Sequence, residues 1–293
     1  MVEETLDVEE KEKKKKKKKG HKKMEIFLII IITLIVIGYV YIRYIATSGF
    51  IVKEYNVTSE KLPDNFNGFK IAHLSDIHYA TVGKEKLDKI VQEVNIMKPD
   101  IIVFTGDLYD RFTNLTDDIK EKIVESLSKL DAPLGKYAIF GNHDYEYEGY
   151  QELIERSGFT LLKNESKLIH YNGNDPIEIV GYTSIIKDHP DYNIELTDNY
   201  KIGLIHEGDA YKEIENKGFN LVLAGHSHGG QVRLPFIGAL KFSLPDGSKI
   251  YYDEHYKENE TEIYVSSGLG ETEYKIRAFN KPSFNFYRLY SKK

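Results

Sequence analysis

The sequence predicts an α/β fold, a sandwich around mixed sheets, preceded by one N-terminal transmembrane helix. Three observations predict it. In the first half, short apolar runs alternate with stretches whose apolar residues recur at helical spacing. In the last third, strand-like runs follow one another without helices between them. Near the N-terminus, Ile26 to Ile42 runs seventeen residues with only Thr33, Gly38, Tyr39 and Tyr41 breaking the aliphatic pattern.

Residues 1–24 are a lysine-rich tail. Lys11, Lys13 to Lys19, Lys22 and Lys23 outnumber six acids there, for a charge of +4. Such a run is expected to be solvated and disordered by self-repulsion. Residues 25–45 are read as the transmembrane segment, since at ~1.5 Å per residue the apolar run spans about 26 Å, enough for a thin bilayer. Arg43 can snorkel, and Tyr39, Tyr41 and Tyr44 stand where an aromatic belt belongs. A signal peptide cleaved near Ala46 or Ser48 is the alternative, but the run exceeds the usual ~7–15 apolar residues, which favours an uncleaved signal anchor. The lysines precede the span, so the positive-inside rule predicts a single-pass protein of the cell membrane. Its N-terminus would be cytoplasmic and its following domain outside. The lysines also suit anionic head groups, at about 1 kcal/mol each near the surface.

Residues 46–64 read as a linker and a first strand, and 65–293 as the main domain. Lys70 to Leu74 is a strand. Leu87, Ile90, Val91 and Val94 recur at i, i+3, i+4 and i+7 and mark an amphipathic helix. Ile101 to Thr105 suits a buried strand. Ile119, Ile123, Leu127 and Leu130 mark a second helix, Tyr137 to Phe140 a third strand, and Tyr150 to Arg156 another helix. Further strands are predicted at Ile177 to Tyr182, Lys201 to Ile205 and Phe219 to Ala224. Val232 to Leu234, Lys249 to Tyr252, Ile263 to Ser266 and Asn285 to Tyr290 complete the set.

Composition excludes several functions. The 293 residues contain no cysteine, so disulfides, zinc–thiolate sites and thiol chemistry are absent. Outside the tail, 30 basic face 40 acidic side chains, a charge of −10 that argues against nucleic-acid binding through a broad basic face.

The chemistry-bearing residues follow the apolar strands. Ile71 to Ser75 leads into Asp76-Ile77-His78, and Ile101 to Thr105 into Gly106-Asp107, with Asp110 and Arg111 close behind. Tyr137 to Phe140 leads into Gly141-Asn142-His143-Asp144, Lys201 to Ile205 into His206, and Leu221 to Ala224 into Gly225-His226-Ser227-His228. Carboxyl ends of strands line the ligand crevice of an open α/β sheet. In extended chain, residues i and i+2 point the same way, so Asp76 with His78, or His226 with His228, can meet one ion. Glycines before Asp107, Asn142 and His226 permit sharp exits. Oxygen and imidazole ligands without sulfur suit manganese, iron or zinc. Seven or eight candidates exceed the three or four of a single zinc site and suffice for two ions about 3.5–4 Å apart. Taken singly, an Asp-x-His is more often a turn and a surface histidine, and Gly-Asn-His-Asp a polar turn. The ordered set after five strands outweighs those readings. His73 is expected to pack within its strand, and His170, His189 and His255 to lie on the surface.

The ordered set Asp76-x-His78, Gly106-Asp107-x-x-Asp110-Arg111, Gly141-Asn142-His143-Asp144, His206 and Gly225-His226-x-His228 resembles the calcineurin-like metallophosphoesterase superfamily, across roughly residues 65–290. Gly229-Gly230-Gln231, Ser267-Gly268-Leu269-Gly270, Arg277 and Pro282 resemble a membrane-associated bacterial phosphodiesterase branch of it. The resemblance implies a four-layer α/β-β/α sandwich. It implies that Asp76, His78 and His228 hold one metal, that Asn142, His206 and His226 hold a second, and that Asp107 bridges them. His143 would face the phosphate, oriented by Asp110, and Arg111 would contact the phosphate. Where the family often has a Pro before an Asp after the histidine matching His206, this chain has Glu207-Gly208-Asp209; where the branch often carries Pro-Glu near its end, it has Pro282-Ser283.

The implied reaction is hydrolysis of a phosphodiester or phosphomonoester by attack of a metal-bridging hydroxide. Two divalent ions, two carboxylates and that hydroxide leave a charge of about +1 facing the substrate, which lets an acidic protein attract a phosphate ester. The tyrosine-flanked span points to lipid-linked or envelope substrates. A catalytically inactive metal-binding sensor or scaffold is the rival of a different class, but it would predict damage at His143 or Asp107, and both are intact. A nuclease of the same superfamily is opposed by the acidic charge, and the insertions of a protein phosphatase are not evident. The tyrosine-rich stretch from Phe236 to Glu260 reads equally as pocket wall or as ordinary packing.

Overall fold

A computed structural model describes residues 2–111, 113–272 and 274–292. The chain divides into two compact units, Met1–Ile45 and Ala46–Lys293.

The first unit is one helix, α1 (Val2–Val40), continued by a π-helical turn at Tyr41–Ile45. It is long and apolar enough to cross a membrane. Phe27, Ile29, Leu34 and Ile35 are exposed along it. Within this stretch the Thr33 hydroxyl donates to Ile29 O at 2.8 Å, so the polar group is satisfied by the helix itself. The lysine run is helical rather than disordered. Lysine and glutamate are both good helix formers, and the run is continuous with an apolar helix that has already met the nucleation cost.

The second unit opens with β1 (Ile51–Ser59), β2 (Phe69–Leu74), α2 (Tyr79–Met97), β3 (Ile101–Phe104), α3 (Asp117–Leu127), β4 (Lys136–Ala138), α4 (Tyr150–Arg156) and β5 (Thr160–Leu161). It continues with β6 (Glu165–Ile169), β7 (Ile177–Gly181), β8 (Tyr200–Leu204), α5 (Tyr211–Ile214) and β9 (Leu221–Ala224). The last strands are β10 (Arg233–Leu234), β11 (Gly238–Ala239), β12 (His255–Glu258), β13 (Thr261–Val265) and β14 (Ser283–Ser291). Local chemistry sets several boundaries. Thr116 caps α3 by accepting the Ile119 N–H, and Asp117 and Asp118 occupy its first turn. Lys98 ends α2 in the left-handed region just before Pro99.

Two six-stranded sheets result, in the orders β1-β14-β2-β3-β4-β5 and β12-β13-β9-β8-β7-β6. β2, β3, β4 and β5 run parallel, as do β7, β8, β9 and β13. Alternation along each strand divides the apolar residues between faces. Ile71, Ile101 and Val103 join Ile177, Ile202, Leu221 and Leu223 in a core between the sheets. Ala72, Leu74, Ile102 and Phe104 turn the other way, onto Leu87, Ile90, Val94, Ile123 and Leu153 of the helices. Val180, Val222, Ala224 and Ile263 pack outward with Tyr211 and Ile214 of α5. The layers are therefore helix, sheet, sheet and helix, as the four-layer sandwich requires.

One expected strand is replaced. Lys249 to Tyr252 is irregular because the Asp209 carboxylate accepts the N–H groups of Lys249, Ile250 and Tyr251 at 2.7–2.9 Å. Those donors are then lost to any ladder, and the strand forms at β12, antiparallel to β13.

Candidate metal centre

The ends of β2, β3 and β4 in one sheet and of β8 and β9 in the other deliver the polar clusters to one place. Asp76, His78, Asp107, His226 and His228 all have positive φ, between 44° and 63°. The left-handed backbone, not extended alternation, aims these side chains. Accordingly His226 and His228 enter different groups, although they stand two residues apart. Asp76, His78 and His228 gather in one buried group, and Asp107, His206 and His226 in another. The glycines act in two ways. Gly106 has φ +89°, whereas a Cβ on Gly141 or Gly225 would lie 2.2 Å from Asp107 Oδ1 or 2.0 Å from Ser75 Oγ. Close approach of backbone to ligand, rather than a sharp turn, demands glycine at those two positions.

Asp107 of the second group also approaches the first. Asp107 Oδ2 lies 3.2 Å from His206 Nε2 and 3.8 Å from His78 Nε2. Asn142 Oδ1 is 3.1 Å from His206 Nε2. His228 Nε2 is 3.5 Å from Asp76 Oδ1 and 3.1 Å from His78 Nε2. Backbone carbonyls orient the rings: His78 Nδ1 donates to Tyr109 O (2.9 Å), His206 Nδ1 to Thr105 O (2.6 Å) and His226 Nε2 to Asp246 O (2.8 Å). That leaves His78 Nε2, His206 Nε2 and His226 Nδ1 as the ring nitrogens free of these carbonyls.

Burial raises the Asp76 carboxyl to about 6 and lowers His78 to about 4 and His226 to about 3. Burial also opposes charge on Asp107, yet the facing His206 and His78 hold its carboxyl well below the usual range. Burial lowers His206 in turn, but Asp107 and Glu207 outweigh it and raise this imidazole well above its ordinary value.

These residues fit divalent cations. Asp76 Oδ2 is buried without a hydrogen-bond partner. His78 Nε2 and His228 Nε2 face each other at 3.1 Å, so both rings turn a nitrogen to one spot beside Asp76. Imidazoles, carboxylates and one amide oxygen form a borderline donor set.

His143, Asp110 and Arg111 border the same centre along a cavity of about 760 Å³. The His143 ring centroid is 5.6 Å from that of His78. His143 Nδ1 has no hydrogen-bond partner among the described residues, and Glu146 Oε2 lies 3.7 Å from it. Asp110 accepts the Thr113 hydroxyl at 3.2 Å. The far wall is apolar, with Ile186, Val232, Leu240, Phe242 and Ile276. Of the tyrosine-rich stretch, Phe242 lines this wall, while Tyr251 is buried in the outer core and the Tyr256 hydroxyl accepts the Tyr252 and Asp253 N–H groups.

Three supporting residues had no role assigned from sequence. Asp144, fully buried, accepts the N–H groups of Asp107, Leu108, Tyr109 and Gly141. Arg277, equally buried, pairs with Glu271 and donates to Ser267, Gly268 and Gly270 carbonyls behind His228. Glu207, at the departure from the family's proline, accepts the Ser184 hydroxyl and the Ile185 N–H. A charged residue inside a quoted motif is the signal that could have exposed Asp144. Arg277 stands in the pattern that resembles the membrane-associated branch and Glu207 at the departure from the family's proline, and neither position by itself indicated a partner. His73, as expected, is buried in β2 and bonded to Thr105 and Tyr287, and His170, His189 and His255 are exposed.

Two sandwiched sheets carrying paired Asp/His/Asn groups at their strand ends define a metal-dependent phosphoesterase of the four-layer type. The chain belongs to the calcineurin-like phosphoesterase family, whose model matches residues 69–230. It is 36% identical to the uncharacterized metallophosphoesterase YkuE of Bacillus subtilis, over 87% of this chain and 90% of that protein. It is 28% identical to the phosphodiesterase YaeI of Escherichia coli, over 86% of this chain and 93% of that one. A transmembrane protein with metallophosphoesterase domain from Danio rerio is 31% identical over 75% of this chain, which spans only 52% of that longer protein.

Proposed function

We propose that this protein is a membrane-anchored, dinuclear-metal phosphoesterase that hydrolyses phosphodiester or phosphomonoester bonds of lipid-linked or envelope substrates. One observation carries the reading: a single carboxylate oxygen, Asp107 Oδ2, faces histidines of both ligand groups at once. Asp76, His78 and His228 would hold one ion, Asn142, His206 and His226 the other, with Asp107 between. Bound manganese, iron or zinc would acidify a water and neutralise phosphate charge. His143 turns an imidazole toward the cavity, suited to hydrogen-bond or protonate the leaving oxygen. Asp110 would steady His143 and Arg111 would contact the phosphate. The apolar wall opposite suits an ester whose alcohol is a lipid. Residues 25–45 would cross the cell membrane with the lysines in the cytoplasm and residues 65–293, the catalytic domain, outside.

The test is hydrolysis of bis-p-nitrophenyl phosphate with manganese by the wild type and by Asp107→Asn. The variant is expected to lose nearly all activity, and equal rates would contradict the proposal. A purified enzyme that cleaves soluble nucleotides far faster than any phospholipid head group would remove the lipid-linked part alone.

A further inference from the structure

Two segments, residues 231–242 and 274–282, rim the cavity beside the metal centre. A parallel bridge joins Val232 to Ala278, and Arg233 N donates to Ala278 O at 2.9 Å. The hairpin β10–β11 rises from this rim, with Pro235, Phe236 and Ile237 at its tip. Its large apolar side chains lie in the open. Phe236 and Ile237 are exposed, Phe242 is 86% exposed and Tyr274 70%. Three closed cores bury most of this domain's apolar residues, and the other exposed ones, such as Ile96 and Leu168, are scattered singly along the chain, so several exposed aromatics at one cavity mouth mark a contact surface.

Charge indicates the partner. The domain outside the tail carries −10, yet residues 231–242 contain Arg233 and Lys241 and no acid. Residues 273–282 set Lys275, Arg277 and Lys281 against Glu273 alone. Arg233 pairs with Asp253 and Arg277 is buried, which leaves Lys241, Lys275 and Lys281 as the exposed cations among the exposed aromatics. Aromatic tips interleaved with lysines match the boundary between acyl chains and anionic head groups.

We propose that this rim docks on a phospholipid bilayer. Phe236, Ile237 and Phe242 enter the acyl boundary, and Lys241, Lys275 and Lys281 rest on anionic phosphates. The cavity mouth is thereby held at head-group depth, where a lipid phosphoester enters without leaving the membrane. The inference rests on the anchor proposed at residues 25–45, which keeps the domain within reach of the bilayer.

The chain has no cysteine, so a single introduced thiol labels one site. Full-length protein carrying an environment-sensitive fluorophore at Phe236→Cys or Ile237→Cys is placed in phosphatidylcholine–phosphatidylglycerol vesicles containing nitroxide-labelled lipid. Ile96→Cys is the control, because Ile96 is exposed near the far end of α2, about 18 Å along the helix beyond the break at Gly83. The tip probes are expected to shift to the blue and to be quenched roughly threefold or more above the control. Solvent-like emission and control-level quenching at both tip positions would overturn the docking. So would shielding that depends on protein density rather than on lipid, which would make the rim a contact between copies. Bis-p-nitrophenyl phosphate hydrolysis is measured on the same samples. Activity retained without quenching removes the docking alone, and quenching without activity in the wild type removes the hydrolase reading alone.

Discussion

Asp144→Asn tests the support of the metal centre without touching a ligand. Asp144 Oδ2 accepts the N–H groups of Asp107 and Gly141, each at 2.8 Å, and Oδ1 those of Leu108 at 2.9 Å and Tyr109 at 3.4 Å. Burial and the Asp107 charge raise this carboxyl to about 8, with the N–H donors of Gly141 and Asp107 pulling the other way. An asparagine keeps one acceptor oxygen and turns an NH2 group toward the other two donors. Two accepted hydrogen bonds are lost, and each N–H left buried without an acceptor costs about 1–3 kcal/mol. A net loss of about 2–4 kcal/mol is expected. The same N–H groups fix Asp107 and the turn that carries Asn142, so manganese affinity should fall with stability. Urea unfolding of the metal-free protein gives the first quantity and calorimetric titration with manganese the second. A variant within about 0.5 kcal/mol of wild type, with unchanged affinity, would show that Asp144 does not organise these loops.

Gly225→Ala would put a methyl group 2.0 Å from Ser75 Oγ and 2.6 Å from Asp76 Oδ2. The expected outcome is a loss of about 1–3 kcal/mol and weaker manganese binding, read by the same two assays. Burial lowers His73 to about 3, so the unfolded chain binds its proton first and stability falls as pH drops below 6.5. That residue alone should cost about 2 kcal/mol by pH 5, and His73→Asn should flatten the acid limb of stability measured against pH. Chelation should lower the unfolding midpoint, since a ligand at a hundred times its Kd stabilises by about 2.7 kcal/mol. Asp107→Asn should abolish that difference between chelated and manganese-loaded protein, as followed by thermal unfolding.

Much of the fold is local and therefore visible in the residues. Leu87, Ile90, Val91 and Val94 line one face of α2 because helical spacing puts them there, and all four are buried. Ile101 to Phe104 is a buried strand because four consecutive apolar residues need cover on both faces. Asp76, His78, Asp107, Asn142, His206, His226 and His228 stand out because polar residues directly after such strands end at the crevice. Lys249 to Tyr252 was misread because a distant carboxylate, Asp209, takes the N–H groups that a strand needs.

The amino-acid order by itself determined the central strands, the long helices and the apolar span, and which side chains stand at the strand ends, because periodicity acts over a few residues; the edge strands β6 and β12 it did not mark. Only the tertiary structure decided that β14 from the end of the chain lies between β1 and β2, with register Asn285 against His73. It also decided that neighbouring His226 and His228 part into separate groups. Strand partnership and left-handed backbone at buried positions are set by contacts between residues far apart in the chain, and no local pattern encodes them.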